Sequence, residues 1–179
     1  MSAVRMDGKA LSAKVRGSIL AETEELKAKG VTPGLAVIIV GNDPASEIYV
    51  RNKEKACAEC GFYSEKYALP EETTPEELLG LIAQLNESPQ VSGILCQMPV
   101  PKHISEQAVI DAIDPKKDVD AFHPVNVGKI MTGNFDFVPC TPAGPLELLD
   151  EYQNDPTGNA SVGGARPPIP AHTMISPLP

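Results

Sequence analysis

Gly34-Leu35-Ala36-Val37-Ile38-Ile39-Val40-Gly41 is an unbroken apolar run held between two glycines. It has strand length, and it lacks the polar alternation of a strand with one wet face. Such a run suits a strand covered on both sides, the situation of a central strand in a parallel sheet. Working outward, the preceding stretch from Gly8 to Gly30 places Leu11, Val15, Ile19, Leu20 and Leu26 at helical spacing, with Gly30 as a stop. After the run, Pro44 to Cys60 reads as a helix closed by Gly61, and Phe62 to Leu69 as a second strand. Thr74 fits an N-cap with Pro75 at the first helical position and Glu76 and Glu77 behind it, so a helix is predicted to about Glu87. Val91 to Gln97 is predicted as a third strand. Ser105 to Ile113 is predicted as a short helix, and a last helix begins with Thr141 as cap, Pro142 at the first position, and runs to Tyr152. Strands alternating with helices imply an α/β fold, a parallel sheet of three or four strands with flanking helices.

The chain has 179 residues, 42% of them hydrophobic and 22% charged, enough for an ordinary domain core. Fifteen Lys and Arg against twenty-four Asp and Glu give a net charge of −9, which argues against nucleic acid or an anionic membrane surface as partner. Aromatics are 4%, too few for base-stacking platforms. No apolar run approaches the ~20 residues of a bilayer span, and Met1 to Arg16 lacks the apolar core of a secretory leader. The four cysteines then read as reduced thiols of a cytoplasmic protein. Cys57 and Cys60 form a lone CxxC inside a helix, and Cys96 and Cys140 stand singly, so packing is expected of all four rather than zinc or redox chemistry. From 153 to 179 the character changes: six prolines and three glycines fall in twenty-seven positions, without apolar periodicity. That segment is expected to be disordered.

Three segments carry residues suited to chemistry. In the helix after the first strand, Tyr49 and Lys53 lie four apart on one face, and Ser46 and Cys57 extend the stripe. A lysine partly buried beside a phenol can act as an acid and base; a solvated lysine with tyrosine on its stem is the plainer alternative. The third strand ends Gly93-Ile-Leu-Cys96-Gln97-Met98-Pro-Val-Pro-Lys-His103, placing a polar Gln97 at the carboxyl end of a buried strand, where open α/β sheets hold ligands. The loop Asp118-Val-Asp120-Ala-Phe-His123 has two acids and a histidine but no regular metal-ligand spacing, so no metal is expected. A carboxylate there suits the amino and ring N–H groups of a ligand better. His103 and His123 read as residues that stabilise turns.

Together these segments resemble the catalytic domain of the methylenetetrahydrofolate dehydrogenase/methenyltetrahydrofolate cyclohydrolase family. Tyr49 to Lys53 matches its Tyr-Val-x-x-Lys helix, Gly93 to His103 its Gly-Ile-Leu-x-Gln-x-Pro-x-Pro-x-His turn, and Lys117 to Gly128 its Lys-Asp-Val-Asp-Gly-Phe-His-Pro-x-Asn-x-Gly loop. Pro139 to Gly144 matches its Pro-Cys-Thr-Pro-x-Gly segment. The resemblance covers residues 4–152 and implies a folate-binding catalytic domain there. It implies NADP-dependent oxidation of 5,10-methylenetetrahydrofolate to the methenyl form, hydrolysis of that to 10-formyltetrahydrofolate, and a place in the one-carbon supply to purine biosynthesis. By the same resemblance, Lys53 is the general acid and base, Tyr49 orients it and stacks on the folate, and Gln97 hydrogen-bonds Lys53. Asp120 holds the pterin edge, and Val50, Arg51, Asn52, Cys96 and Met98 complete the substrate contacts. Ala121 departs from the family's usual glycine, which matters only if the backbone there has positive φ. Family members are homodimers.

The family's nicotinamide-nucleotide Rossmann domain has no counterpart after Tyr152; Val162-Gly-Gly-Ala-Arg166 is a superficial echo without a preceding strand. The expectation is therefore a chain truncated at its C-terminus, or read out of frame from about Gln153, with no NADP-binding residues and no dehydrogenase turnover of its own. Two alternatives follow from the same residues: an inactive folate-binding remnant, or an interaction module that uses the Pro-rich tail.

Overall fold

The computed structural model describes residues 6–152; the tail expected to be disordered lies outside the described residues. The elements in order are α1 (Gly8–Ala28), β1 (Gly34–Val40), α2 (Pro44–Glu59), β2 (Tyr63–Leu69), α3 (Pro75–Glu87), β3 (Gly93–Cys96), α4 (Glu106–Ala112), α5 (Pro124–Thr132) and α6 (Cys140–Glu151). Residues Arg16–Val119 form one compact unit, and the other described residues form a second.

The larger unit is built on a three-stranded parallel sheet in the order β2-β1-β3. β1 is the central strand, as its apolar run requires. Its alternate side chains feed two different cores. Ala36, Ile38 and Val40 join Ile94 and Cys96 of β3 beneath Leu78, Ile82 and Leu85 of α3 and Val109 of α4. Val37 and Ile39 face the opposite way and pack with Leu95 and with Val50 of α2. α2 thus covers one face, and α3 and α4 the other. α1 behaves differently from its periodicity: Thr23 is its one buried residue among those described, and Val15, Leu20 and Leu26 remain exposed.

Local chemistry sets the helix ends. Asp43 caps α2 by accepting from the Ser46 amide at 2.8 Å and the Ser46 hydroxyl at 2.7 Å. Thr74 caps α3 in a reciprocal box: Glu77 N–H donates to Thr74 Oγ1, and Thr74 N–H donates to Glu77 Oε2. On the outer strand β2, both Tyr63 and Tyr67 donate their hydroxyls to Glu65. These bonds hold the Glu65 carboxyl below its usual range and push Tyr67 up to about 12.

The second unit holds α5 and α6, with Ala121, Ile130 and Phe137 packed together. Tyr152 Oη accepts from Asp7 N–H at 2.9 Å, and Lys14 pairs with Glu151. α5 is not anticipated by the sequence reading. α6 begins two residues earlier than expected, with Pro139 rather than Thr141 at the cap, and Pro145 lies inside it rather than in the first turn. Its missing N–H removes the intrahelical bond that the Thr141 carbonyl would otherwise receive.

Gly34 is where the chain enters the sheet. Its N–H donates to Ser92 Oγ and its carbonyl accepts from Ser92 N–H at 2.8 Å. A β-carbon there would stand 2.0 Å from the Gln90 carbonyl oxygen, a backbone atom that cannot swing aside. Gly34→Ala is expected to cost about 2–3 kcal/mol, the upper range for overpacking. Urea denaturation of the purified variant measures it; an unchanged midpoint would refute the close approach.

Candidate functional site

The helices after β1 and β3 leave the sheet on opposite faces, α2 on one and α4 on the other, and β1 and β3 are neighbours. Such a reversal opens a crevice at the carboxyl ends of the two strands, the place where open parallel sheets bind ligands. Lys53 and Gln97 meet there.

Gln97 directly follows β3, and its N–H donates to the Ile38 carbonyl of β1 at 2.8 Å, so its backbone is still part of the ladder. Strand alternation sets its side chain opposite to Cys96, whose side chain is buried toward α3 and α4. On the other side, α2 carries a stripe graded in burial. Val50 and Cys57 are buried at its centre, Lys53 is half-buried, and Tyr49 stands at the edge with 62% of its surface exposed. Burial pushes the Cys57 thiol up, which fits packing rather than reactivity.

Lys53 Nζ donates to Gln97 Oε1 at 3.1 Å, across forty-four positions of sequence. Gln97 Nε2 donates in turn to the Met98 carbonyl at 2.8 Å. That second bond uses one of the amide's two N–H donors and leaves its oxygen facing the lysine. The arrangement is an aimed amine at a crevice, held by a neutral acceptor. It can bind an acceptor on a ligand, or take and return a proton.

The other sequence-predicted residues are placed as follows. Arg51 and Asn52 are exposed on α2, and Val50 is fully buried under β1. Met98 is half-buried against the core beneath α3. Asp120 belongs to the second unit, where it lines a cleft of about 380 Å³ with Ala121, Phe122, Val127, Cys140 and Thr141. Cys140 is exposed, a correction to the expectation that all four cysteines are packed; Cys57, Cys60 and Cys96 are buried. Sequence reasoning matched the segment containing Cys140 and Thr141 but gave neither a place in a site; the motif itself was the available signal. His123 caps α5, its Nδ1 accepting from the Val125 amide at 3.1 Å, and His103 Nε2 bonds the Thr73 carbonyl at 2.9 Å. Both do stabilise turns.

The sequence profile described as the tetrahydrofolate dehydrogenase/cyclohydrolase catalytic domain matches residues 6–120. The chain belongs to this family. It is 60% identical over 162 residues to the bifunctional protein FolD of Acetivibrio thermocellus, covering 90% of this chain and 57% of that one. The FolD of Ruminiclostridium cellulolyticum is 58% identical over 151 residues, covering 84% of this chain and 53% of that one. Among solved structures, the bifunctional FolD methylenetetrahydrofolate dehydrogenase/cyclohydrolase of Campylobacter jejuni superposes with a TM-score of 0.81 at 48% identity, covering 84% of this chain and 54% of that one. The Trypanosoma brucei enzyme, solved with NADP and an inhibitor, gives 0.82 at 37% identity, covering 87% and 54%. The chain spans about half the length of the relatives it matches.

Family membership raises the question of NADP. A dinucleotide's pyrophosphate needs backbone donors and no competing negative charge at a helix start. α2 already carries the Asp43 carboxylate on its first amides, α3 has Glu76 and Glu77 in its first turn, and α4 has Ser105 and Glu106. Among the described residues no strand–helix turn fits the group. Nor does any group of three or more His, Cys, Asp or Glu among them suit a metal ion.

Ala121 follows Asp120, at the position where the family resemblance leads one to expect glycine. Its φ is +56°, and it is 1% exposed against Ile130 and Phe137. An L-residue in that region carries about 1–2 kcal/mol of strain. Removing a buried methyl costs ~0.8 kcal/mol and freeing the unfolded chain about 0.4–1 kcal/mol more. The terms nearly cancel, so Ala121→Gly is expected to keep stability within about 1 kcal/mol. A loss of ~2 kcal/mol or more in urea denaturation would show that Ala121 is unstrained.

Proposed function

We propose that residues 4–152 form the folate-binding catalytic domain of a methylenetetrahydrofolate dehydrogenase/methenyltetrahydrofolate cyclohydrolase, and that Lys53 is its proton-transfer group. The Lys53–Gln97 bond at the β1/β3 crevice is the observation that supports this reading most directly. Cytoplasmic one-carbon metabolism is the setting that accompanies it; among the described residues no helix is long and apolar enough to cross a membrane.

Hydrolysis of the methenyl bridge can be written on these residues. A water oxygen adds to the bridging carbon, and its proton passes to Lys53 Nζ. The resulting tetrahedral carbon expels N5: the carbon–N5 bond breaks as the carbon's hydroxyl releases its remaining proton to solvent and becomes the formyl oxygen, the proton on Lys53 passes to N5, and the formyl group stays on N10. Gln97 keeps Nζ aimed through both transfers, which position, more than added contacts, makes efficient. Tyr49, exposed at the rim of the crevice, is free of core packing and suits stacking on an aromatic part of the folate. Asp120 is assigned the pterin's amino and ring N–H groups by the motif it occupies. The oxidation step of the family needs a nicotinamide held beside the one-carbon bridge.

Lys53→Met is expected to abolish methenyltetrahydrofolate hydrolysis, followed by loss of its absorbance, while the fold survives, because the head group faces a crevice rather than a core. Wild-type turnover that persists in the folded variant would remove Lys53 from the reaction. Wild-type chain that binds folates without turnover would instead support the remnant alternative.

Asp120→Ala is expected to weaken folate binding by about 1.5–3 kcal/mol, the worth of hydrogen bonds to a charged group. Isothermal titration checks it, and equal affinities would take Asp120 out of the pocket.

A further inference from the structure

Lys117 spends its whole donor capacity on the backbone of another element. Its Nζ donates to the carbonyls of Leu85 at 3.0 Å, Asn86 at 2.6 Å and Ser88 at 2.8 Å, the last turn and C-cap of α3. An ammonium has three donors, and all three are used where a helix end concentrates negative partial charge. The backbone of the same residue faces β3: its carbonyl accepts from Ile94 N–H at 2.7 Å, and buried Asp118 forms a parallel bridge with Ile94. Val119 then lies over Gly93, where a β-carbon would come within 2.4 Å of Val119 Cγ1. Asn86 works from the same helix end, donating to the Ala112 carbonyl at 2.8 Å and accepting from Asp114 N–H at 2.9 Å.

Among the described residues, the segment beside β3 is strand-like in direction and carries one isolated bridge. One bridge is a weak specification of register, and a slip by one residue would exchange the faces of Asp118 and Val119. Three charge-assisted side-chain bonds tie the same residue to the end of α3.

We propose that Lys117 is a positioning residue: by bracketing the carbonyls at the end of α3 it sets the register of Lys117–Val119 along β3, and so fixes the point from which the chain enters the Asp120 loop. Its consequence for binding rests on the reading of Asp120 given above, whereas the register belongs to the larger unit alone.

The test is amide hydrogen exchange by NMR, with folic acid titration in parallel, on the full chain as wild type, Lys117→Met and Lys117→Arg. In Lys117→Met the Ile94 and Lys117 amides should exchange at least tenfold faster while the Leu78 amide, in the first turn of α3, keeps its rate. Folic acid affinity should fall about tenfold, and Lys117→Arg should recover part of both effects. Unchanged Ile94 exchange in folded Lys117→Met overturns the proposal, as does acceleration shared equally by Leu78, which would be global destabilisation. Faster Ile94 exchange with unchanged affinity removes the positioning role. Wild-type chain that fails to bind folic acid sinks the assigned function, and the exchange comparison still decides the register. Should Lys117→Met not fold, Lys117→Gln, which keeps a donor amide, carries the same measurements.

Discussion

The parallel pairing of β1 with β3 is the constraint on which the candidate site depends. Ile38 stands opposite Cys96, and the next rung ties the Gln97 amide to the Ile38 carbonyl. That rung decides which way the Gln97 side chain turns. Because β1 is followed by a helix on one face and β3 by a helix on the other, the same pairing opens the crevice that the side chain enters. Lys53 reaches Gln97 because α2 crosses back over β1 through Val50, a fully buried residue with no polar duty. The chemistry of the site is thus a by-product of apolar packing two layers away.

Glycines and small residues mark where that packing leaves no slack. Gly34 and Gly93 sit at the amino ends of neighbouring strands, each pressed against another segment's atoms. Between them the sheet is entered with almost no free volume, which suits a frame meant to hold an amine and an amide at hydrogen-bond distance. Ala121 is the opposite case: a methyl has been kept in a left-handed conformation, inside a small core cluster of its own unit.

Much of this was legible in the residues themselves. The uninterrupted β1 run announced a central strand, and the Thr74-Pro75-Glu76-Glu77 sequence announced α3 through recognisable cap chemistry. Gln97 could be placed at a strand end from the apolar run before it. α5 escaped because its signals are unusual: its cap is a histidine, its interior mixes Val, Asn and Gly, and Asn126 rather than an aliphatic residue is one of its buried positions. Pro124 and the left-handed Gly133 did bracket it correctly. The start of α6 was misjudged because Thr141 and Pro142 form a convincing cap pair in sequence, whereas the helix is already under way at Cys140. The exposed flank of α1 shows the reverse error, in which helical periodicity was present but did not translate into burial. Proximity of Lys53 to Gln97 lay beyond any local signal, since it depends on strand order, and the motif resemblance alone linked the two.

The cluster of Tyr63, Glu65 and Tyr67 bears on how this sheet behaves in a crowded solution. β2 is an outer strand among the described residues, and an outer strand offers backbone groups to any passing chain. At its middle stand Glu65 and Lys66, opposite charges on successive residues, with the carboxylate pinned by two phenols rather than left to swing away. A foreign strand docking there would have to bury those charges or displace the hydroxyls that hold one of them. The three side chains thus keep a fixed charge along the rim of the sheet, the kind of feature that disfavours side-by-side pairing of an outer strand with a foreign one.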